Sequence, residues 1–281
     1  MLLIIGSVAV GAFVAFGLYL YLSQDRMVFF PSREMETTPA EIGLVFDDVF
    51  IEVTDSVQVH AWYVPAPDGN SGSNNSHAPT VLFFHGNGGN ISHRLPTVDL
   101  VVGLGANIML VDYRGYGRSG GVPSEQNMYA DALACYRWLT DTKETPSEQI
   151  MIFGRSLGGA VAIQLATQVE CAGLIVESSF TSAKAMGNLM FPYFPVGLLL
   201  KHKFASIDKI KSVNCPLLVT HSKEDDMIPF QMGLALYEKG MGPKRVVEIE
   251  GLHNDRHYMQ AESYRECIEN ILINRQFDNW D

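Results

Sequence analysis

The chain is short of positive charge. Lysine and arginine together number 20 against 31 aspartate and glutamate, a formal net charge of −11. A surface of that sign repels phosphate backbones, which argues against a nucleic-acid partner and against a basic face clinging to anionic lipid. Cysteine is also sparse. Cys135, Cys171, Cys215 and Cys267 stand apart, with no Cys-x-x-Cys and no metal-like spacing. They read as buried thiols, which suits a reducing compartment. No internal repeat is visible. The glycine-rich stretch at residues 85–90 lacks a following Gly-Lys-Ser/Thr, so a phosphate-binding P-loop is excluded by pattern.

Charge is missing altogether from the first 24 residues, and residues 2–22 are almost wholly apolar. About 21 helical residues rise roughly 32 Å, enough to cross the hydrocarbon core of a bilayer. A cleaved signal peptide would want a basic start, a shorter apolar core and small residues before the cut. Here the run ends in bulky Leu18-Tyr19-Leu20-Tyr21-Leu22, so an uncleaved transmembrane anchor is expected. Tyr19, Tyr21, Phe29 and Phe30 are expected near one membrane interface. Arg26 and Arg33 favour a cytoplasmic catalytic domain, although Asp25 and Glu34 lie beside them. The expected division is an anchor at 1–24, a tether at 25–44 and one catalytic domain at 45–281.

Within that domain, strand patterns alternate with helical ones. Residues 45–53 and 57–64 form an opening hairpin around Asp55-Ser56, and a polar loop at 68–77 carries a chance-level glycosylation match at Asn74. Strands are expected at 80–84, 108–112, 149–153, 173–176, 217–220 and 246–250, with helices near 125–139, 157–168, 232–238 and 255–274. This spacing implies an α/β fold, a mostly parallel central sheet flanked by helices.

Between the strand at 149–153 and the helix after it stands Gly154-Arg155-Ser156-Leu157-Gly158. Gly-x-Ser-x-Gly in that setting is a nucleophile elbow, a strained turn that lifts a serine hydroxyl above the sheet. Such a serine needs a base and a group that orients the base, both later in the chain and each just past a strand. Asp225 and His253 occupy those places. Glu224 and Asp226 flank Asp225 as rivals, and His257 is read as a surface or packing histidine. His253, Asp255 and His257 lack the further ligands a metal site needs, so no metal is expected. His221 is expected to pack behind the acid loop, and Ser178 and Ser179 lack the flanking glycines of a nucleophile.

The intermediate's oxyanion needs donors, expected from the backbone amides of Leu157 and of Asn87 in the loop at residues 85–90. The other readings of that loop are a plain turn into a helix at Ser92 and an anion-binding loop. A second irregular segment, with Met190-Phe191-Pro192-Tyr193-Phe194-Pro195, is too apolar for a solvated loop. It is expected to form a small cap at about 183–212, or else to pack on the sheet edge.

These segments, with Asp112-Tyr113-Arg114-Gly115-Tyr116-Gly117, Glu177-Ser178-Ser179 and Gly251-Leu252-His253-Asn254-Asp255, resemble the α/β-hydrolase superfamily, most of all its membrane-anchored BEM-type branch. The resemblance spans most of residues 45–275, and Ser222 departs from it where the family usually has glycine. It implies an α/β-hydrolase fold with Ser156 as nucleophile, His253 as base, Asp225 as acid, and Asn87 with Leu157 at the oxyanion hole. It allows ester, thioester, amide or lipid substrates, and the anchor with the apolar cap tilts the expectation to ester or thioester hydrolysis of an acylated or small-molecule substrate, without cofactor. The bilayer, through the N-terminal helix, is the expected partner. A serine peptidase of this fold and a silent membrane scaffold are the alternatives.

Overall fold

A computed structural model describes residues 2–67 and 78–276. The polar loop at 68–77, with Asn74, lies outside the described residues.

The strands are β1 Phe30–Pro31, β2 Asp47–Thr54, β3 Val57–Val64, β4 Thr80–Phe84, β5 Gly88–Gly89, β6 Asn107–Val111, β7 Ile150–Arg155, β8 Gly173–Glu177, β9 Leu217–Ser222 and β10 Lys244–Ile249. Eight of them form one sheet in the order β2-β3-β6-β4-β7-β8-β9-β10, while β1 and β5 pair separately. β3 runs antiparallel to β2 and β6, and the ladders from β6 to β10 are parallel. The expected strands are all present, and the hairpin turns where Asp55-Ser56 placed it. This is the α/β-hydrolase fold.

The central strands read as unbroken apolar runs because both sheet faces are covered. Alternation assigns each side chain. Leu82, Phe84, Met109, Val111 and Ile152 join the core on one face, while Val81, Phe83, Ile108, Leu110 and Phe153 join the core on the other. Helices α3 Glu125–Arg137 and α4 Leu157–Ala166 cover the first face, and α2 Leu95–Gly103 and α9 Glu262–Leu272 cover the second. α4 is apolar nearly all round, as a fully buried helix must be. A Cβ at Gly158 would collide with the Phe84 carbonyl, so glycine is what lets α4 start against β4.

The helix expected at Ser92 is present, a 3-10 turn at Ile91–Arg94 leading into α2. Two expectations shift. The last helix begins at Glu262 rather than near 255, because a 3-10 turn at His257–Gln260 and an extended Ala261 interrupt it. Cys171 and Cys215 are only partly buried, and each perturbs the other's thiol, whereas Cys135 and Cys267 are buried.

The N-terminal helix α1 spans Leu2–Val28, 27 residues, running past the expected end at 24. Residues 25–44 are docked on the domain. Phe30 and Ser32 donate their amides to the Asn87 and Gly89 carbonyls, and Arg33 donates to the Ser119 carbonyl. Phe29, expected at a membrane interface, is 4% exposed and packs edge-on against His202 and Phe204.

The apolar segment after β8 folds as α5 Ala183–Met190, α6 Val196–Leu199 and α7 Ser206–Lys209, followed later by α8 Phe230–Lys239. α1 leans on it: Phe194 stacks on Phe13 at 4.4 Å and meets Phe16 edge-on at 4.9 Å. Gln24 hydrogen-bonds it in both senses, donating to the Leu199 carbonyl and accepting from the Lys201 amide.

Candidate active site

β7 ends where Ser156 begins, and α4 starts one residue later. Between them Ser156 holds φ 54° and ψ −119°, a conformation that costs a non-glycine residue about 1–3 kcal/mol. Three contacts hold it there. Its amide donates to the Glu177 carbonyl at 2.8 Å, and its carbonyl accepts from the Gly159 amide and the Ser179 hydroxyl. Ser179 therefore braces the elbow.

β9 and β10 pair in parallel with Ile249 opposite Ser222, so the loops after them emerge side by side. That register brings two side chains to Ser156. His253 Nε2 lies 3.1 Å from Ser156 Oγ, and its Nδ1 lies 2.8 Å from Asp225 Oδ2. Burial by itself would raise the Asp225 carboxyl. Hydrogen bonds from His221, His253 and the Ile228 amide outweigh it and hold the group well below the usual carboxylate range. The flanking acids serve the main chain instead: Asp226 accepts from the His253 amide and Glu224 from the Gly251 amide. His221 is buried behind the acid loop, with Nε2 at 2.9 Å from the Ile228 carbonyl. His257 is exposed. At the departure from the family pattern, the Ser222 hydroxyl accepts from the Glu224 amide, closing the same turn by a side-chain bond.

The loop carrying Asn87 passes over the serine, where a Cβ on Gly86 would stand 3.4 Å from Ser156 Cβ. Its backbone is pinned on several sides. Tyr113 donates to the His85 carbonyl at 2.7 Å, and Tyr116 to the Asn87 carbonyl at 2.8 Å. The Asn87 side chain donates to the Val28 carbonyl, which ties the loop to the end of α1. Leu157 opens α4, and an amide in the first helical turn has no acceptor within the helix.

Two cavities meet at Ser156 and Asn87. One is a chamber of about 380 Å³, walled by the cap (Met186, Phe191, Val196) and by α1 (Leu20, Met27, Val28). Its lining is overwhelmingly apolar. The other is a cleft of about 480 Å³ beside the Asn87 loop, reached by His93, Arg94, Arg155 and Arg256. Sequence reasoning missed these arginines and the buried support behind His253. Arg155 donates to the His253 carbonyl, and its Nε lies 3.2 Å from Glu177, which also accepts from Tyr258 and Tyr264. The only hint was position: Arg155 lies inside the elbow motif, and Glu177 ends a strand beside it.

A serine at a strand-to-helix elbow, above a sheet of this order, defines an α/β hydrolase. Residues 75–207 match the family described as Serine aminopeptidase, S33. The chain is 35% identical over 268 residues to Uncharacterized protein Rv2307c of Mycobacterium tuberculosis, covering 94% of this chain and 93% of that one. It is 30% identical over 280 residues to Alpha/beta hydrolase domain-containing protein WAV2 of Arabidopsis thaliana, covering 90% and 89%. Among solved structures, the Pyrococcus furiosus esterase Pf2001 superposes with a TM-score of 0.71 at 21% identity, over 89% of this chain and 100% of that one. The chain belongs to the α/β-hydrolase family, and it is a hydrolase.

Proposed function

We propose that the protein is a membrane-anchored serine hydrolase of the BEM-type branch that cleaves acyl esters or thioesters. The observation carrying this reading is the hydrogen-bonded line Ser156–His253–Asp225 at the mouth of an apolar chamber. His253 takes the Ser156 proton as the hydroxyl attacks the acyl carbonyl. The oxyanion rests on the Asn87 and Leu157 amides, each donor worth on the order of 3 kcal/mol. The protonated imidazole, steadied by Asp225, gives its proton to the leaving group; water activated by His253 then frees the acid. Helix α1 is long and apolar enough to cross a bilayer, and it serves as the anchor.

A peptidase removing N-terminal residues needs a carboxylate for the substrate ammonium. Neither cavity has an aspartate or glutamate among its described lining residues, which favours acyl substrates. Fluorophosphonate labelling of membranes carrying the intact chain or Ser156→Ala tests the reading. Labelling of the intact chain alone supports it. An unlabelled, folded intact chain sinks it and leaves the scaffold alternative.

A further inference from the structure

The cleft beside Ser156 is lined without a described carboxylate, in a chain where acids outnumber bases 31 to 20. Its charged or titratable side chains are His93, Arg94, Arg155, His253 and Arg256. Arg155 is balanced by Glu177 behind it. The other two guanidinium groups meet main-chain oxygens. Arg94 donates to the Gly88 carbonyl, and its buried Nε has no partner; Arg256 donates to the His93 carbonyl at 2.5 Å. Burial, then the charges of Arg256 and Arg155, push Arg94 down to about 10, and burial followed by Arg155 lowers Arg256 as well. The acid that acts on Arg94 is Asp112, which is enclosed behind the loop with His85 and the Ile91 amide. Glu36, largely exposed, pairs with His93 at 3.0 Å, but no described carboxylate lines the cleft facing Arg94 and Arg256. Like charges crowded at one wall are costly unless something negative occupies the space.

We propose that this cleft holds a phosphate group on the leaving-group side of the substrate, bound by Arg94 and Arg256, so that the enzyme deacylates acyl glycerophosphates. The inference rests on the proposed role of Ser156. Paired guanidinium groups match the tetrahedral, multiply charged phosphate through forked hydrogen bonds. The layout fits the same molecule. Both cavities share Phe30, Asn87, Ser156 and Met227, so a carbonyl at Ser156 sends its chain into the apolar chamber and its alcohol into the cationic cleft. The phosphate takes no part in the chemistry. The Ser156 Oγ–carbonyl bond forms, the ester C–O bond breaks, and the proton passes from Ser156 through His253 to the departing glycerophosphate oxygen. Water then hydrolyses the acyl-enzyme. The negative surface excludes general adhesion to anionic lipid, and the cleft selects one anion at one place.

The test uses the full chain in neutral detergent micelles, with 1-decanoylglycerol 3-phosphate and 1-decanoylglycerol as substrates. The expected kcat/KM ratio favours the phosphate ester by at least about tenfold, through KM, and shrinks as salt screens the charges. Arg256→Gln lowers that ratio about tenfold, and Arg256→Lys restores part of it. Glycerol 3-phosphate competes with a p-nitrophenyl ester, and glycerol does not. Inorganic phosphate competing as well as glycerol 3-phosphate, without a lipid preference, overturns the lipid assignment and leaves a plain anion site. A wild-type ratio within twofold of one, with Ser156 still labelled by fluorophosphonate, overturns the proposal while sparing the nucleophile. If Ser156 does not label, calorimetric titration with glycerol 3-phosphate decides the cleft separately: binding lost in Arg256→Gln upholds it, and no binding by the intact chain overturns it.

Discussion

Asp226 Oδ1 accepts the His253 backbone amide at 3.1 Å, while the adjacent Asp225 takes the imidazole of the same residue at 2.8 Å. Two neighbouring carboxylates thus divide the work on one histidine, one setting where the loop lies and the other how the ring turns.

That division predicts unequal amide substitutions. Asp225→Asn presents an NH₂ or a neutral oxygen to Nδ1 and lowers kcat by about 10³–10⁴. Asp226→Asn keeps an oxygen acceptor for the His253 amide and holds kcat within about threefold. Steady-state kinetics on p-nitrophenyl butyrate check both, and equal losses would contradict the assignment.

The pH dependence has a definite sign. Asp225 is held below its unfolded value of about 3.9, so it adds stability that is complete above that value and lost as pH falls through the folded one. The carboxylate is therefore ionised throughout the neutral and mildly acidic range. The unfolding free-energy difference between wild type and Asp225→Asn should stay constant down to about pH 4 and shrink below it. A difference already shrinking between about pH 7 and 5 would refute this.

Glu177 is fully buried against Arg155 and two tyrosine hydroxyls. Glu177→Gln leaves the Arg155 guanidinium enclosed without its counter-charge, which should cost about 3–5 kcal/mol of stability. Urea unfolding measures this. Through the Arg155 bond to the His253 carbonyl, kcat should fall as well, even where the variant is folded.

Leu20 reaches the apolar chamber from α1. Leu20→Trp should fill part of it and lower the ratio of decanoyl to butyryl ester turnover by about tenfold, the scale on which apolar pockets discriminate. An unchanged ratio would remove α1 from the acyl site.

What could be read in advance was local. The apolar runs Val81–Phe84 and Ile108–Val111 announce β4 and β6 because strands covered on both faces are filled with apolar side chains, and the elbow announces itself because its glycines must flank the serine. The start of a helix at Ser92 was legible, but the extent of α2 was not, because it is apolar on most sides and no amphipathic period marks it. The docking of residues 25–44 escaped notice too, since Phe29 looks the same in sequence whether a protein or a bilayer covers it. Arg94, at the start of α2, and Arg256, in the loop after β10, lie 162 residues apart and are joined by Arg256 donating to the His93 carbonyl. Only the folded sheet brings them to one wall.

Leu20, Gln24, Met27 and Val28 belong both to α1 and to the chamber, and Gln24 ties α1 to the cap backbone. The helix proposed as the anchor and the wall of the chamber therefore share these four residues. Trimming the chain to release a soluble enzyme would take down a wall of the site, and the freed protein would be a different catalyst. On the proposed anchoring of α1 in a bilayer, its contacts with the cap would also fix the position of Ser156 relative to the surface. On that proposal an acyl chain would have to reach that level to react, and the helix would act as a gauge of depth.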